Sequence, residues 1–185
     1  MEMRRTSWIK ISGILLIVGV LIAGGLWFFK KPSSPIEDFN DARDTQEILK
    51  IFERDRYWLL ASEDYSPEFM LKHRAPSQDI KYMGRLRIKV WWEQNKFVGF
   101  SAYYMKTPTH GFLLFLAVNP EFRGRDKGYA EKLLKYVLGQ LRSMGAEQVQ
   151  LCTRTDNMRA QRLYQRVGFH EISRDDGFMY FQYDF

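Results

Sequence analysis

Residues 112–118 run apolar without a polar break, the pattern of a strand buried on both faces. Beyond Pro120 the period changes: Ala130, Leu133, Leu134, Val137, Leu138 and Leu141 share one face of a helix. Val149, Leu151 and Thr153 then alternate with Gln148, Gln150 and Cys152, which predicts a strand. Ala160, Leu163, Tyr164 and Val167 line a second helix, capped by Asp156 or Asn157 and ended by Gly168 at C′, with Phe169 as the apolar contact beyond it. Upstream, residues 44–56 read as a helix with Ile48, Ile51 and Phe52 inward, and Ser66-Pro67-Glu68 opens a short one reaching His73. Residues 85–92 and 97–104 form a hairpin turning near Gln94-Asn95-Lys96, and 178–185 a last strand entered through Asp175-Asp176-Gly177. No strand is evident before Asp44; a first strand is absent, or residues 57–61 replace it. The chain has no internal repeat or low-complexity tract.

The amino-terminal pattern differs in kind. Residues 11–29 carry no charge over 19 positions; as a helix they span roughly 28 Å, close to the hydrocarbon thickness of a bilayer. Arg4, Arg5 and Lys10 flank one end, Lys30 and Lys31 the other, with Trp8 and Trp27-Phe28-Phe29 where interfacial aromatics belong. The segment predicts a transmembrane helix; the rival is a cleaved signal peptide with Ala23 and Gly25 before the cut, although the apolar run exceeds the usual core of such peptides. The organisation expected is therefore a basic flank (1–10), a membrane helix (11–29), a stiff Pro/Ser linker (30–36) and one domain (37–185), large enough for a full core.

Charge adds little to this picture. Of the formal net charge of +6, residues 1–31 account for +4, so the basic balance belongs mostly to the flanks and no nucleic-acid role is expected. A single Cys152 makes no internal disulfide and fits a reducing compartment. Three scattered His and that Cys have no metal-ligand spacing, so no metal is expected.

Candidate chemistry centres on the turn between the long apolar strand and the helix: Asn119-Pro-Glu-Phe-Arg123-Gly124-Arg125-Asp126-Lys127-Gly128-Tyr129-Ala130. A strand–loop–helix turn aims free N–H groups and the positive helix end at one place, which suits a phosphate or pyrophosphate. Gly124 and Gly128 permit close backbone approach, and Arg123, Arg125 and Lys127 add charge. The loop lacks Gly-Lys-Ser/Thr and Gly-x-Gly-x-x-Gly, which excludes Walker and dinucleotide fingerprints. Taken alone it is equally a solvated connection.

Two blocks together carry a resemblance. Arg125-Asp-Lys-Gly128-Tyr-Ala130 resembles the Arg/Gln-x-x-Gly-x-Gly/Ala signature of the GCN5-related N-acetyltransferases, and Asn157…Ala160…Leu163-Tyr164…Gly168-Phe169 is similar to that family's next block. The resemblance covers residues 112–169. It implies an α/β (α+β) fold with a mixed, splayed β-sheet flanked by helices, and transfer of an acetyl group from acetyl-coenzyme A to a primary amine by direct attack on the thioester. It further implies that Ala117 and Val118 bind the pantetheine arm like an added strand, that Arg123, Gly124, Arg125, Asp126, Lys127, Gly128, Tyr129 and Ala130 hold the pyrophosphate, that Asn157 contacts the arm or orients the site, and that Tyr164 protonates the departing thiolate. One departure stands out: the signature restarts at Arg125 after Arg123, as though two residues were inserted, so either Arg123-Gly124 or the 125–130 segment does the gripping.

No general base is identified, because the 112–118 strand has no acid; Glu93, His110 and His73 are candidates, directly or through water. The acceptor is expected opposite the cofactor, walled by residues 63–73 and the C-terminal strands, with Glu63, Asp64, Asp175 and Asp176 available to a cationic amine. Basic flanks favour an external domain, whereas acetyl-coenzyme A is cytosolic; a single-pass protein with a cytosolic domain is the expectation. The alternatives are a catalytically inactive acetyl-coenzyme A-binding domain and a membrane-tethered protein-interaction module.

Overall fold

A computed structural model of the chain describes residues 35–60, 65–74, 85–175 and 177–185. Within them, Pro35–Phe185 forms one compact unit. Seven strands make a single sheet in the order β1-β2-β3-β4-β5-β7-β6: β1 (Ile36–Asp38), β2 (Arg87–Glu93), β3 (Lys96–Met105), β4 (His110–Val118), β5 (Gln148–Arg154), β6 (His170–Asp175) and β7 (Phe178–Asp184). All neighbours are antiparallel except β4 and β5, which are parallel. A parallel pair needs a crossover; here it is a 3-10 turn (Pro120–Phe122) and α3 (Tyr129–Ser143).

Among the described residues, four helices cover the sheet: α1 (Asp41–Leu59), α2 (Pro67–Leu71), α3, and α4 (Met158–Val167). Alternation along β3 assigns the faces. Phe100, Ala102 and Tyr104 pack with Ile48, Ile51 and Phe52 of α1 and Met70 of α2, while Tyr103 points the other way onto Leu134, Val137 and Leu141 of α3. Leu133, Leu134, Val137 and Leu141 are fully buried, a gross apolar transfer on the order of 8 kcal/mol that fixes α3 to the sheet. α1 is capped by Asn40, whose side chain accepts from the Arg43 N–H at 3.2 Å. The hairpin turns at Gln94 and Asn95, both with positive φ (49° and 61°), as a two-residue primed turn requires.

Two expectations are corrected here. A first strand does precede α1: Ile36, placed in the linker by the sequence, pairs with Trp91 as the first residue of β1. Residues 57–59 lie in α1 rather than in a substitute strand. β6, for which the sequence pattern predicts no bounds, pairs with β7 although none of its residues is buried. The expected transmembrane helix, the basic flank and most of the linker lie outside the described residues. Among those described, no helix is long and apolar enough to cross a membrane.

Candidate active site

The parallel pair is short. β4 and β5 are in register only from His110 to Phe112 and Gln148 to Gln150. Beyond that point β4 stays with β3 to Val118 and β5 stays with β7 to Arg154, so the two arms diverge. The cause is local: Tyr103 pairs with Leu113 and Ala102 with Phe115, leaving Leu114 as an extra residue on β4. Such a bulge bends and twists its strand. Between the arms opens a cleft of 1290 Å³, and the β4 edge facing it has no strand beside it.

The cleft takes in the N-terminal ends of α3 and α4. Gly128 precedes α3 in the left-handed region (φ 67°), and no side chain caps the helix. The first-turn N–H groups of α3 are therefore free for a ligand, and Gly128 and Ala130 line the cleft. α4 is capped instead by Asn157, which accepts from the Ala160 N–H at 3.2 Å; its amide NH₂ remains without a partner among the described residues. One turn on, Tyr164 is 7% exposed and packs against Phe169 and Phe181. Its hydroxyl has no hydrogen-bond partner among the described residues, and burial pushes its pKa above the ordinary tyrosine value. The phenol thus keeps its proton throughout the neutral range. Cys152 lies beside it, and burial likewise raises its thiol pKa.

Ala117, Val118, Arg123, Gly124, Arg125, Gly128, Ala130, Asn157 and Tyr164, all named from the sequence, line this cleft. Asp126, Lys127 and Tyr129 do not. Lys127 turns away to donate to the Glu121 carbonyl. Tyr129 stacks on Trp91 and Phe122 and bonds Glu93, which raises its pKa. Arg123 is committed within the protein: its Nε donates to the Val118 carbonyl at 2.6 Å and its guanidinium bonds Asp55. Between the two gripping segments left open by the sequence, the free cation is thus Arg125, which has no partner among the described residues. The carbonyl of Val118 is equally taken.

None of the three candidate bases reaches the cleft. His73 bonds the Leu86 carbonyl at 2.9 Å. His110 sits between the Thr107 and Thr109 hydroxyls and Gln148, and Glu93 faces Tyr129. Of the acids proposed for the acceptor wall, Glu63, Asp64 and Asp176 lie outside the described residues; Asp175, at the end of β6, is not part of the lining, although its charge adds to the rise in the pKa of the cleft-lining Cys152.

A clasp that joins both arms to α1 has no local sign in the chain. The helix departs from helical geometry at Asp55 (φ −108°, ψ 21°). There Asp55 bonds Arg123, and Arg54 reaches Asn119 at 3.0 Å, both just past β4. Burial alone would raise the Asp55 pKa, but hydrogen bonds from Arg54 and Arg123 outweigh it and hold the carboxyl below its usual range. Two residues later, the Tyr57 hydroxyl donates to Asp156 at 2.8 Å, and Arg154, at the end of β5, donates to the carbonyls of Tyr57 (2.5 Å) and Leu60 (3.1 Å). No metal-ligating cluster occurs among the described residues.

A mixed sheet split at one parallel pair, with an uncapped helix at the split, defines the acyl-CoA acyltransferase class. The comparisons agree. Residues 45–169 match the sequence profile of the Acetyltransferase (GNAT) family, and the chain belongs to that family. It is 43% identical over 61 residues to a ribosomal protein bS18-alanine N-acetyltransferase of Haemophilus ducreyi, covering 33% of this chain and 41% of that protein. To N-alpha-acetyltransferase 30 of Schizosaccharomyces pombe it is 31% identical over 107 residues, covering 51% of this chain and 69% of the relative. Among solved structures, the PaiA N-acetyltransferase of Thermoplasma acidophilum in complex with coenzyme A superposes with a TM-score of 0.64 at 17% identity, over 81% of this chain and 98% of that one.

Proposed function

We infer that the protein is an N-acetyltransferase that uses acetyl-coenzyme A and a primary amine. The observation that carries this reading is the buried, unpartnered Tyr164 hydroxyl opening into a cleft whose other end is an uncapped helix N-terminus. The residues present fit the cofactor. The free amides of the α3 first turn, with Gly128 and Arg125, suit its pyrophosphate, and the open β4 edge around Ala117 and the Asn157 amide suit the pantetheine arm.

Bound there, acetyl-coenzyme A supplies an acetyl group activated as a thioester. The chain supplies position and a proton. Tyr164 Oη, loaded with its proton at neutral pH, donates toward the sulfur as it gains charge. The apolar walls, Leu114, Leu116 and Leu163, exclude water from the reacting carbon. No side chain in the described cleft is free to act as a base, so the amine enters neutral or loses its proton to water. A protein α-amine is the acceptor favoured by the names of the two relatives. The uncharged run 11–29 supports attachment to a membrane, and the cytosolic supply of acetyl-coenzyme A favours a domain on the cytosolic side; protease protection in sealed vesicles tests that topology.

The test of the activity is release of coenzyme A thiol by the full-length chain with acetyl-coenzyme A and peptides bearing free or blocked N-termini. Release only with free amines, falling about 100-fold in Tyr164→Phe, supports the enzyme. Tight binding without turnover on any amine would instead support an inactive cofactor-binding domain.

A further inference from the structure

Among the described residues, seven basic side chains line the cleft against three acidic ones. All three acids are engaged: Asp55 by Arg54 and Arg123, Glu131 by Lys135 and Arg166, Asp156 by the Tyr57 hydroxyl. The excess of positive charge is unevenly placed. Arg159, Arg162 and Arg166 recur at i, i+3 and i+7, so a single exposed stripe of α4 carries three guanidinium groups along the cleft wall. Arg166 is fixed by Glu131 of α3 at 3.1 Å, which holds this stripe beside the first turn of α3. Arg159 and Arg162 have no acidic partner among the described residues. They stand close enough to repel one another, an arrangement relieved by an anion between them.

We propose that Arg159 and Arg162 form a second anion site, one that binds the 3′-phosphate of coenzyme A and so selects it over its dephospho form. The proposal rests on the acetyl-coenzyme A reading above and extends it to a part of the ligand remote from the reacting bond. A pyrophosphate diester with about two charges is matched by the free amides of α3 and Arg125. The 3′-monoester adds about two more at neutral pH and needs its own donors, which planar guanidinium forks supply. Four negative charges on the ligand then meet a four-charge excess among the described residues of the lining.

Isothermal titration of the full-length chain with coenzyme A and with 3′-dephospho-coenzyme A decides the matter. The wild-type chain is expected to prefer coenzyme A by about tenfold or more, a preference that shrinks as salt is raised. The double variant Arg159→Gln/Arg162→Gln should bind coenzyme A as weakly as the dephospho form, with the latter's affinity unchanged. The Lys pair should keep part of the preference, as charge without the fork. Equal wild-type affinity for the two ligands overturns the proposal and leaves the acetyl-coenzyme A reading standing. An equal loss for both ligands in the variant also overturns it. Binding of neither ligand overturns both. The wild-type comparison decides even where a variant fails to fold.

Discussion

Replacing Gly128 separates what the loop does for the fold from what it does for a ligand. Its φ is 67°, and a Cβ built there meets nothing within 4 Å, so Asn or Asp enters without a steric clash. Left-handed backbone costs an L-residue about 1–2 kcal/mol, least for Asn and Asp. Gly128→Asn should therefore lower Tm by about 2–4 °C. Gly128→Asp carries the same strain plus a negative charge at an uncapped helix N-terminus, which returns about 0.3–1 kcal/mol. The Asp variant should melt above the Asn variant. Binding should move in the opposite sense. A carboxylate about 6 Å from a phosphate charge, at an effective dielectric of about 20, costs about 3 kcal/mol, or about 100-fold in affinity. Thermal melts and titration of acetyl-coenzyme A into both variants read the two effects separately. If the Asp variant binds within about threefold of the Asn variant, no phosphate sits at this helix end and the assignment of the loop is wrong.

Two further outcomes follow from the geometry. At Gly99 on β3 an added Cβ would lie 2.2 Å from the Ala117 carbonyl oxygen, a backbone atom that no rotamer change removes. Gly99→Ala should cost about 2 kcal/mol or more and weaken acetyl-coenzyme A binding by moving the β4 edge, read by urea denaturation and titration. Asp55 has its carboxyl held below the usual value of 3.8 despite burial. Its contribution is thus present above the ordinary carboxylate pKa and is lost as pH falls through the lower, folded value. Asp55→Asn should be destabilised by about 2 kcal/mol at pH 7, a gap from wild type that closes in melts taken below about pH 4. A gap independent of pH would refute the charged pairing with Arg123.

Where period and burial coincide, the sequence sufficed. The hairpin, α3, β5 and α4 with its Asn157 cap and Gly168 terminus were all legible, because each has apolar residues at its own spacing. β1 and β6 were not: one has a single buried residue and the other none, so only backbone pairing to a neighbour makes them strands. The bulge at Leu114 was hidden because residues 112–118 are apolar throughout, and a run without alternation cannot record a change of face. At the site, the glycines, Asn157 and Tyr164 were readable from spacing and resemblance together. That Arg123 serves Asp55 and the Val118 carbonyl, with Asp55 68 positions away, is a tertiary fact with no local trace. Arg159, Arg162 and Arg166 could have been found from their helical spacing alone.

The clasp makes the width of the slot a property of the last turns of α1, whose Asp55, Trp58 and Leu59 also line it. Asp55 and Arg54 hold the loop after β4, and Tyr57 and the carbonyls behind it hold the end of β5. The gap between the arms is thereby gauged by a single helical turn, as a spacer sets the jaws of a caliper. Changes at that turn would register as altered affinity for whatever fills the slot, although the residues changed belong to another layer of the fold. Ligand occupancy, in return, would be felt as rigidity in the last turn of α1, where Tyr57 and Trp58 stand exposed. The two arms of the sheet and the end of α1 are in this way made to share one dimension.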